Sequence, residues 1–453
     1  MKQFKIFTLT ITLTMLVYKS SAQDANKTSF SLQESIDYSL KHSPNYLNAE
    51  LDLKSADYRR KEITGLGLPQ IGGSIDLKDY INIPTSLLPA QIFGGPEGTF
   101  LPVEFGTKYN ATAGFNASQL IFSSDYIFGL KASKEFMNLS KINVTRSKAD
   151  LVSQVSKAYY TAIISKERLK LLDANIVRLK KAFDDTKALN QQGFAELIDV
   201  ERIEVQYNNL VTEKDKAEKL IGLTQSMLKF QMGYDLNDQL SLTDSLDVKG
   251  DFQEMSISKI DVTQRPDYQL FQAQQLLYDI DVKRLKWGYL PTLAAYGSYQ
   301  YNAQRNEFNL LSFDKNDQNK QWFKIALIGV TLNVNIFDGL QRNYRIQQAK
   351  MTSQKNQNTL KNLQLGAELE ASSASVLYNN AYLSVSIQKR NMELAQHVYD
   401  VAQKKSVNGI GSNIEIVIAE STLKEAQTNY LSAVYDMVVS KIDYKKATGT
   451  LVK

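Results

Sequence analysis

The chain of 453 residues contains no cysteine and only two histidines. The lack of cysteine excludes disulfide bonds, thiolate metal sites, a cysteine nucleophile and a lipid-modified N-terminal cysteine. An imidazole metal site usually needs several ligands, so His42 and His397 are predicted to be ordinary surface or interface residues. Beyond the N-terminus, no apolar run reaches the roughly 18 residues that a membrane-spanning helix needs.

The motifs of common enzyme classes are also absent. The sequence has no phosphate-binding loop ending in Gly-Lys-Ser/Thr, no Gly-x-Ser-x-Gly turn and no His-Glu-x-x-His zinc motif. Gly409-Ile410-Gly411 begins like a nucleotide-binding loop, but the third glycine is missing and the segment follows a helical region. We therefore expect no enzyme activity, no cofactor and no metal site.

The N-terminus is predicted to be a secretory signal peptide, residues 1–22. Lys2 and Lys5 precede the apolar run Phe7–Val17, and small residues up to Ala22 provide a cleavage site. The net charge of the whole chain is +5, and loss of the three lysines of this segment leaves a nearly neutral protein. No nucleic-acid partner is expected, and the protein is predicted to work outside the cytoplasm.

The rest of the chain reads as one unit written twice, residues 23–240 and 241–453. Landmarks occur in the same order in both halves at nearly constant spacing. The paired landmarks are Pro44 and Pro266, Pro69 and Pro291, Ile121-Phe122 and Ile336-Phe337, Gly193 and Gly409, and Gly233 and Gly449. Chance explains one such pair more easily than five in the same order, so an internal duplication is predicted.

Each half contains two segments in which apolar and polar residues alternate, as in strands with two different faces. Ile75, Phe115, Leu293 and Val330 lie on the apolar faces, whereas the polar faces carry Asn, Thr, Ser and Lys. A soluble sheet with one wet face would show the same alternation. The segments are 67–83, 108–121, 291–302 and 324–337.

Segment length and aromatic residues favour strands that cross a membrane. Strands of about 10–14 residues can cross a bilayer at a tilt. Trp287 and Trp322 precede two of the segments, at positions that suit the interface belt of a barrel. Four strands cannot close a barrel and lipid does not tolerate an open edge, so several chains must combine their strands.

Very long helices are predicted between the strand pairs. No proline and only Gly129 occur from Asp125 to Gln192, and apolar residues recur there at alternating spacings of three and four. This seam predicts coiled-coil packing, and it returns with smaller residues in the second half. Its members in the first half are Leu151, Val155, Ala158, Ala162, Ser165, Leu169, Leu172, Ile176, Leu179 and Phe183.

The order of these elements resembles the TolC-like outer membrane efflux protein family. The resemblance rests on the duplicated unit, the signal peptide and the turn from Gly193 to Asp199-Val200. The resemblance implies an α+β membrane protein: a homotrimer whose twelve strands form one transmembrane β-barrel in outer membrane lipid. The long helices would then form a coiled-coil barrel across the periplasm. It also implies an exit duct of a tripartite efflux or type I secretion system, docked to a periplasmic adaptor and an inner-membrane transporter.

The two glycine turns are predicted to form the periplasmic tip, with Gly193, Phe194, Gly409 and Ile410 as adaptor contacts. Phe194 and Ile410 could instead be intramolecular staples. Asp199 and Glu415 start the return helices, where capping alone could explain them.

The resemblance assigns Asp199 to the contacts that hold the tip shut and Glu415 to an acidic ring at the constriction. The sequence departs from the family near these residues. The positions of a Tyr and an Arg in the latch carry Ser406 and Gly411, and a second acidic ring is replaced by Ile418, so Lys404 or Lys405 would have to substitute in the latch.

Two other classes of protein share some of these features. A surface or periplasmic coiled-coil adhesin would explain the heptads but not the strands or the duplication. A passive porin builds its barrel from one chain and lacks long helices. The sequence does not indicate the cargo.

Overall fold

The computed structural model describes residues 28–245, 261–310, 317, 320–408 and 410–452. The predicted signal peptide and Gly409 lie outside the described residues. The chain divides into two compact units. The helical unit comprises the described parts of Met1–Asn48, Arg146–Arg265 and Gly366–Lys453, and the sheet unit comprises those of Ala49–Thr145 and Pro266–Leu365.

Helices dominate the described chain. They are α1 (Leu32–His42), α2 (Pro44–Gly65), α3 (Ser124–Gln191), α4 (Leu197–Met232), α5 (Pro266–Trp287), α6 (Gln341–Val407) and α7 (Asn413–Ala447). The strands are β1 (Ser29–Phe30), β2 (Gln70–Asp79), β3 (Thr85–Pro89), β4 (Phe100–Glu104), β5 (Tyr109–Phe122), β6 (Ser241–Leu242), β7 (Thr292–Arg305) and β8 (Phe323–Asn333).

The two long helices of the sequence analysis are confirmed as α3 and α6, with 68 and 67 residues. The residues of their predicted seam are buried or half-buried. In the helical unit, Leu172 and Leu179 of α3 pack with Ile203 and Leu210 of α4, and Tyr378 of α6 packs with residues of α7. No helix among the described residues is both long enough and apolar enough to cross a membrane.

Helix α1 is too short for the heptad pattern to reveal, but its start is encoded locally. The Ser31 hydroxyl accepts from the Glu34 amide, and the Glu34 carboxylate accepts from the Ser31 amide at 2.9 Å, which forms a capping box. Strands β1 and β6 pair in parallel next to it. The buried Tyr159 hydroxyl lies 3.0 Å from the Phe30 carbonyl oxygen and 3.0 Å from the Asp244 carboxylate, and either oxygen can accept its proton. These contacts tie α3 to the small sheet.

Gly233 ends α4 at a point where no other residue fits well. Its φ is +70°, and a Cβ atom there would lie 2.5 Å from the carbonyl oxygen of His42. Gly193 has a similar φ of +81° but open space around it. Gly193 therefore shows only the conformational requirement for glycine, whereas Gly233 shows both the conformational and the steric requirement.

We expect Gly233→Ala to destabilise the protein by about 2–3 kcal/mol, and Gly193→Ala by only about 1–2 kcal/mol. Both variants place alanine in the left-handed region, but only the first forces α4 away from the end of α1. Urea unfolding followed by helical circular dichroism measures the difference. Equal losses in the two variants would contradict this packing argument.

The main sheet of the sheet unit is antiparallel, with the strand order β2-β5-β7-β8. Strands β2 and β8 end earlier than the alternation predicts, at Asp79 and Asn333 instead of 83 and 337. Their partners explain this, because Asp79 lies opposite the first residue of β5, and Asn333 lies opposite Thr292, the first residue of β7. The segment between β2 and β5 is not a plain loop, since β3 and β4 pair within it as a hairpin.

Candidate functional site

The register of the sheet places the four predicted lipid-facing residues on one face. Ile75 lies opposite Ala113, which is two residues from Phe115 on β5, and Phe115 lies opposite Tyr299 of β7. Val330 lies opposite Ala295, two residues from Leu293. Ile75 is 86% exposed, and Phe115 and Val330 are also exposed in the single chain, whereas Leu293 is half-buried between neighbouring strands.

A β-bulge interrupts this face near the end of β5. Leu120 pairs with Ala294 and Phe122 pairs with Leu293, so the extra residue Ile121 adds a second apolar side chain opposite Leu293. The bulge keeps the apolar face continuous up to Ser123, where α3 is about to begin.

The opposite face carries a ladder of polar side chains. The Gln300 amide donates to the Asn116 side chain at 3.0 Å, and the Asn302 amide donates to the Thr112 hydroxyl at 3.1 Å. Lys78 forms an ion pair with Asp76 at 3.1 Å on the same face. Such a surface suits water, not lipid.

Strand β8 departs from this division. Ile325 and Leu327 pair with Gln300 and Ser298, so they lie on the polar face, and both are exposed. The alternation of β8 therefore separates apolar from polar residues less cleanly than that of the other strands. Next to them, the Tyr296 ring lies over Gly329, where it occupies the space of a side chain.

The two predicted interface aromatics lie at opposite ends of the sheet. Trp287 precedes β7 and makes an edge contact with Phe128 at 5.6 Å between ring centroids. Trp322 precedes the antiparallel β8, and its indole donates to the Leu310 carbonyl at 3.3 Å. Trp322 packs there on the buried Ala111 and Ala303. Aromatic residues at both ends of the strands are what the two interface belts of a membrane barrel would require.

The connection between α3 and α4, the first of the two predicted tip turns, exposes an apolar side chain. Gly193 has the left-handed conformation, and the Phe194 amide donates to the Leu189 carbonyl at 2.9 Å. The Phe194 side chain is 79% exposed, so it is not an intramolecular staple. Asp199 lies in the first turn of α4, 3.8 Å from Arg202.

The second turn is tighter. The Ile410 and Gly411 amides both donate to the Lys405 carbonyl, and Ile410 is 78% exposed. A Cβ atom on Gly411 would lie 2.8 Å from Cβ of Lys405, so an arginine at this position could not keep the same turn.

Glu415 lies exposed in the first turn of α7, and Ile418 is exposed three residues further on. The N-cap of α7 is Ser412, whose hydroxyl accepts from the Ile414 amide, so Glu415 is not itself the capping residue.

A buried polar cluster that the sequence pattern does not reveal joins α3, α6 and α7 behind these turns. Glu420 is almost fully buried, and one of its carboxylate oxygens lies 3.4 Å from Nε of Arg178. The Arg178 guanidinium also contacts the Asn175 side chain and lies over the Tyr399 ring. The Asn175 amide donates to Gln427 at 2.9 Å.

Electrostatics in this cluster are dominated by burial. Loss of water raises the pKa of Glu420 above its usual 4.5, although the positive charge of Arg178 opposes the shift. Burial likewise raises the pKa of Tyr399 to about 12. Lys424, one turn after Glu420, pairs with Glu213 of α4, which also binds Arg168 of α3 at 3.0 Å. Charged groups thus connect both helical hairpins.

Comparison with known proteins agrees with this architecture. Residues 264–450 match the family model described as outer membrane efflux protein. The chain is 23% identical to the outer membrane protein TolC of Vibrio cholerae over 361 residues, 75% of this chain and 77% of the relative. It is 21% identical over 311 residues to the proteases secretion protein PrtF of Dickeya chrysanthemi, 67% of this chain and 64% of PrtF.

The fold is that of solved outer membrane channels. The open state of the MtrE channel of Neisseria gonorrhoeae superposes with a TM-score of 0.74 at 13% identity, covering 93% of this chain and 89% of MtrE. The match confirms the combination of long helices and a β-domain in one chain. The sequence relatives confirm the resemblance to TolC-like proteins, and with it the expected class, an outer membrane channel for efflux or secretion.

Proposed function

Starting from this relationship to TolC-like outer membrane efflux proteins, we propose that the chain forms a homotrimeric channel-tunnel, the exit duct of a tripartite efflux or type I secretion system. Its strands would form a shared barrel in the outer membrane, and its long helices would extend into the periplasm. A periplasmic adaptor and an inner-membrane transporter would be its partners. One observation carries the proposal: among the described residues, both edges of the four-stranded sheet are unpaired, and its two faces differ chemically.

The directions of the strands support closure by copies of the same chain. All three pairings are antiparallel, so β2 and β7 run one way while β5 and β8 run the other. The edge strand β8 of one copy is therefore antiparallel to β2 of the next. Three copies supply twelve strands, which exceeds the roughly eight of the smallest membrane barrels and leaves no edge exposed to lipid.

The internal duplication is part of the same proposal. Helix, strand, strand, long helix and return helix follow one another as α2, β2, β5, α3 and α4 in the first half. The corresponding elements in the second half are α5, β7, β8, α6 and α7. This order supports repeats at 23–240 and 241–453.

Chemical cross-linking in detergent and conductance across a planar bilayer test the proposal together. We expect cross-linking to stop at a trimer and purified protein to give stable single-channel currents. A coiled-coil adhesin would give no current, and a porin would conduct as a folded monomer. Either result would exclude the proposed assembly.

The helical turns are proposed as the tip of the tunnel, with Phe194 and Ile410 as adaptor contacts and Asp199 and Glu415 near the constriction. Gly193 and Gly409 would reverse the chain there. The exposed apolar side chains at both turns support adaptor docking. In a trimer, three Glu415 carboxylates would lie near one axis and favour cations.

We expect Glu415→Ala to weaken cation preference or divalent block, and Asp199→Ala to raise the resting conductance. Single-channel recording measures both properties. Glu201→Ala is the matched control, because it removes an exposed acid from the same stretch of α4. If all three variants conduct and select like the parent, Asp199 and Glu415 act only at helix ends and the gate lies elsewhere.

A further inference from the structure

The apolar face of the sheet carries a basic and aromatic patch at the end remote from Trp287. We define the Lys324 patch as Tyr299, Tyr301, Arg305 and Lys324. Lys324 pairs with Tyr301 and lies on the same face as Val330, and the patch residues of β7 share the face of Leu293. Resting on the proposed function, we propose that this patch binds the phosphate group of an anionic lipid in the outward-facing leaflet.

Lys324 is a charged residue on a face that is mostly apolar. Its side chain is exposed, and its ammonium group lies 5.9 Å from the centre of the Tyr301 ring. No carboxylate of the described residues forms an ion pair with it. A lysine on a lipid-facing wall is stabilised where it can reach the headgroup layer, and a phosphate oxygen there would supply the missing anion.

The two tyrosines add a hydrogen-bond donor at the same level. Their hydroxyl oxygens lie 3.2 Å apart, and their rings make an edge contact at 5.6 Å. Only one of the two hydroxyl protons can lie in the bond between them, so the other hydroxyl can donate to an anion. Tyrosine and lysine together present the groups that a phosphate monoester accepts from.

Arg305 adds a second positive charge to the patch. It lies four residues beyond Tyr301 on β7, about 13 Å further along the strand. Its side chain is 3% exposed, and Nη1 donates to the Gln321 carbonyl at 3.0 Å. Its Nε and Nη2 have no hydrogen-bond partner in the described chain. Arg305 therefore contributes charge to the patch rather than a direct contact.

The imbalance of charge is local to β7 and β8. Elsewhere at this end of the sheet, two lysines form ion pairs, Lys78 with Asp76 and Lys320 with Asp317. Lys324 and Arg305 form no ion pair with a carboxylate of the described residues, and the acid on the same face at this end, Asp79, lies two strands away from Arg305. Because apolar side chains such as Ile328 continue the same face, a lipid with acyl chains fits better than a free anion.

Binding of lipid A to the full-length protein in detergent tests the inference. Lys324→Gln is expected to weaken the apparent affinity roughly tenfold, the loss of one charge-assisted contact. Lys324→Arg should retain most of the affinity. Lys78→Gln is the matched control, since Lys78 lies at the same end of the sheet but on the polar face. Dephosphorylated lipid A should bind the parent as weakly as intact lipid A binds the glutamine variant.

Three outcomes would overturn the inference. One is equal affinity of parent and Lys324→Gln, and another is equal affinity for phosphorylated and dephosphorylated lipid. The third is competition by inorganic phosphate as strong as by the lipid, which would identify a free-anion site. Conductance of the same preparations keeps the two proposals apart. A conducting trimer without phosphate-dependent binding contradicts only the lipid site, whereas loss of conductance in the parent contradicts the channel.

Discussion

Replacing Val330 by arginine is expected to destabilise the membrane-inserted protein by about 2–4 kcal/mol if the residue lies near the bilayer midplane. Val330 is exposed on the apolar face of an edge strand, opposite Ala295. An arginine there would place a guanidinium group in hydrocarbon, with no carboxylate among the described residues nearby on that face to compensate. Urea unfolding from lipid vesicles and the yield of trimer in the outer membrane measure the loss.

The neighbouring residue supplies the control. Thr331 pairs with Ala294 on the polar face, so Thr331→Arg would extend into water inside the proposed barrel. We expect it to change stability by no more than about 0.5 kcal/mol, although it can alter ion selectivity. Both substitutions introduce the same side chain into the same strand. Similar damage from the two would show that the two faces of β8 do not differ as a barrel wall requires.

The faces of the strands were predictable because alternation has a period of two and fixes the side of every residue. Ile75, Phe115, Leu293 and Val330 therefore share a face in the structure as expected. The ends of the strands were not predictable, because they depend on where the partner begins. Residues 334–337 keep the alternation, yet β7 offers them nothing to pair with.

Strand β8 shows a second limit of alternation. Ile325 and Leu327 make it apolar on both faces, so its pattern alone does not say which side meets lipid. Pairing with β7 places Ile325 and Leu327 on the face of Ser298 and Gln300, which belong to the polar ladder. Composition identifies a strand here, whereas the register assigns its faces.

The positions of the connections between α3 and α4 and between α6 and α7 were predictable, because a glycine follows each long apolar seam. The proposed roles of Asp199 and Glu415 would depend on copies of the chain around a common axis, which no single sequence describes. The turn at Gly411 adds a structural reason why the family latch does not apply unchanged. Its backbone approaches Lys405 too closely for an arginine side chain.

The Glu420 cluster could have been suspected but not assembled from the sequence. Glu420 lies between the apolar Ile416 and Leu423 on the seam of α7, and Gln427 follows Leu423 on the same seam. Their positions indicate polar side chains on a buried seam. The partner of Glu420, Arg178, lies 242 positions earlier in another helix. Pairing over that separation follows from tertiary packing alone.

Arg178→Met is therefore expected to be among the most damaging substitutions in the helical unit, at about 3–5 kcal/mol near neutral pH. It removes the cation that compensates the buried Glu420 carboxylate and leaves that charge without a partner. The double variant Arg178→Met with Glu420→Gln should recover most of the loss, because it contains no buried charge. Thermal unfolding monitored by helical circular dichroism distinguishes the two.

The loss in Arg178→Met should also depend on pH with a definite sign. Burial already raises the pKa of Glu420 above 4.5, and removal of Arg178, which lowers it, raises it further. A raised pKa in the folded state means that folding favours the protonated acid, so the stabilising effect of protonation is complete below 4.5 and is lost as pH rises through the folded-state pKa. Relative to the double variant, the single variant should therefore regain stability on acidification. A pH-independent difference between them would show that Glu420 does not titrate in the folded helices and that Arg178 acts through packing on Tyr399.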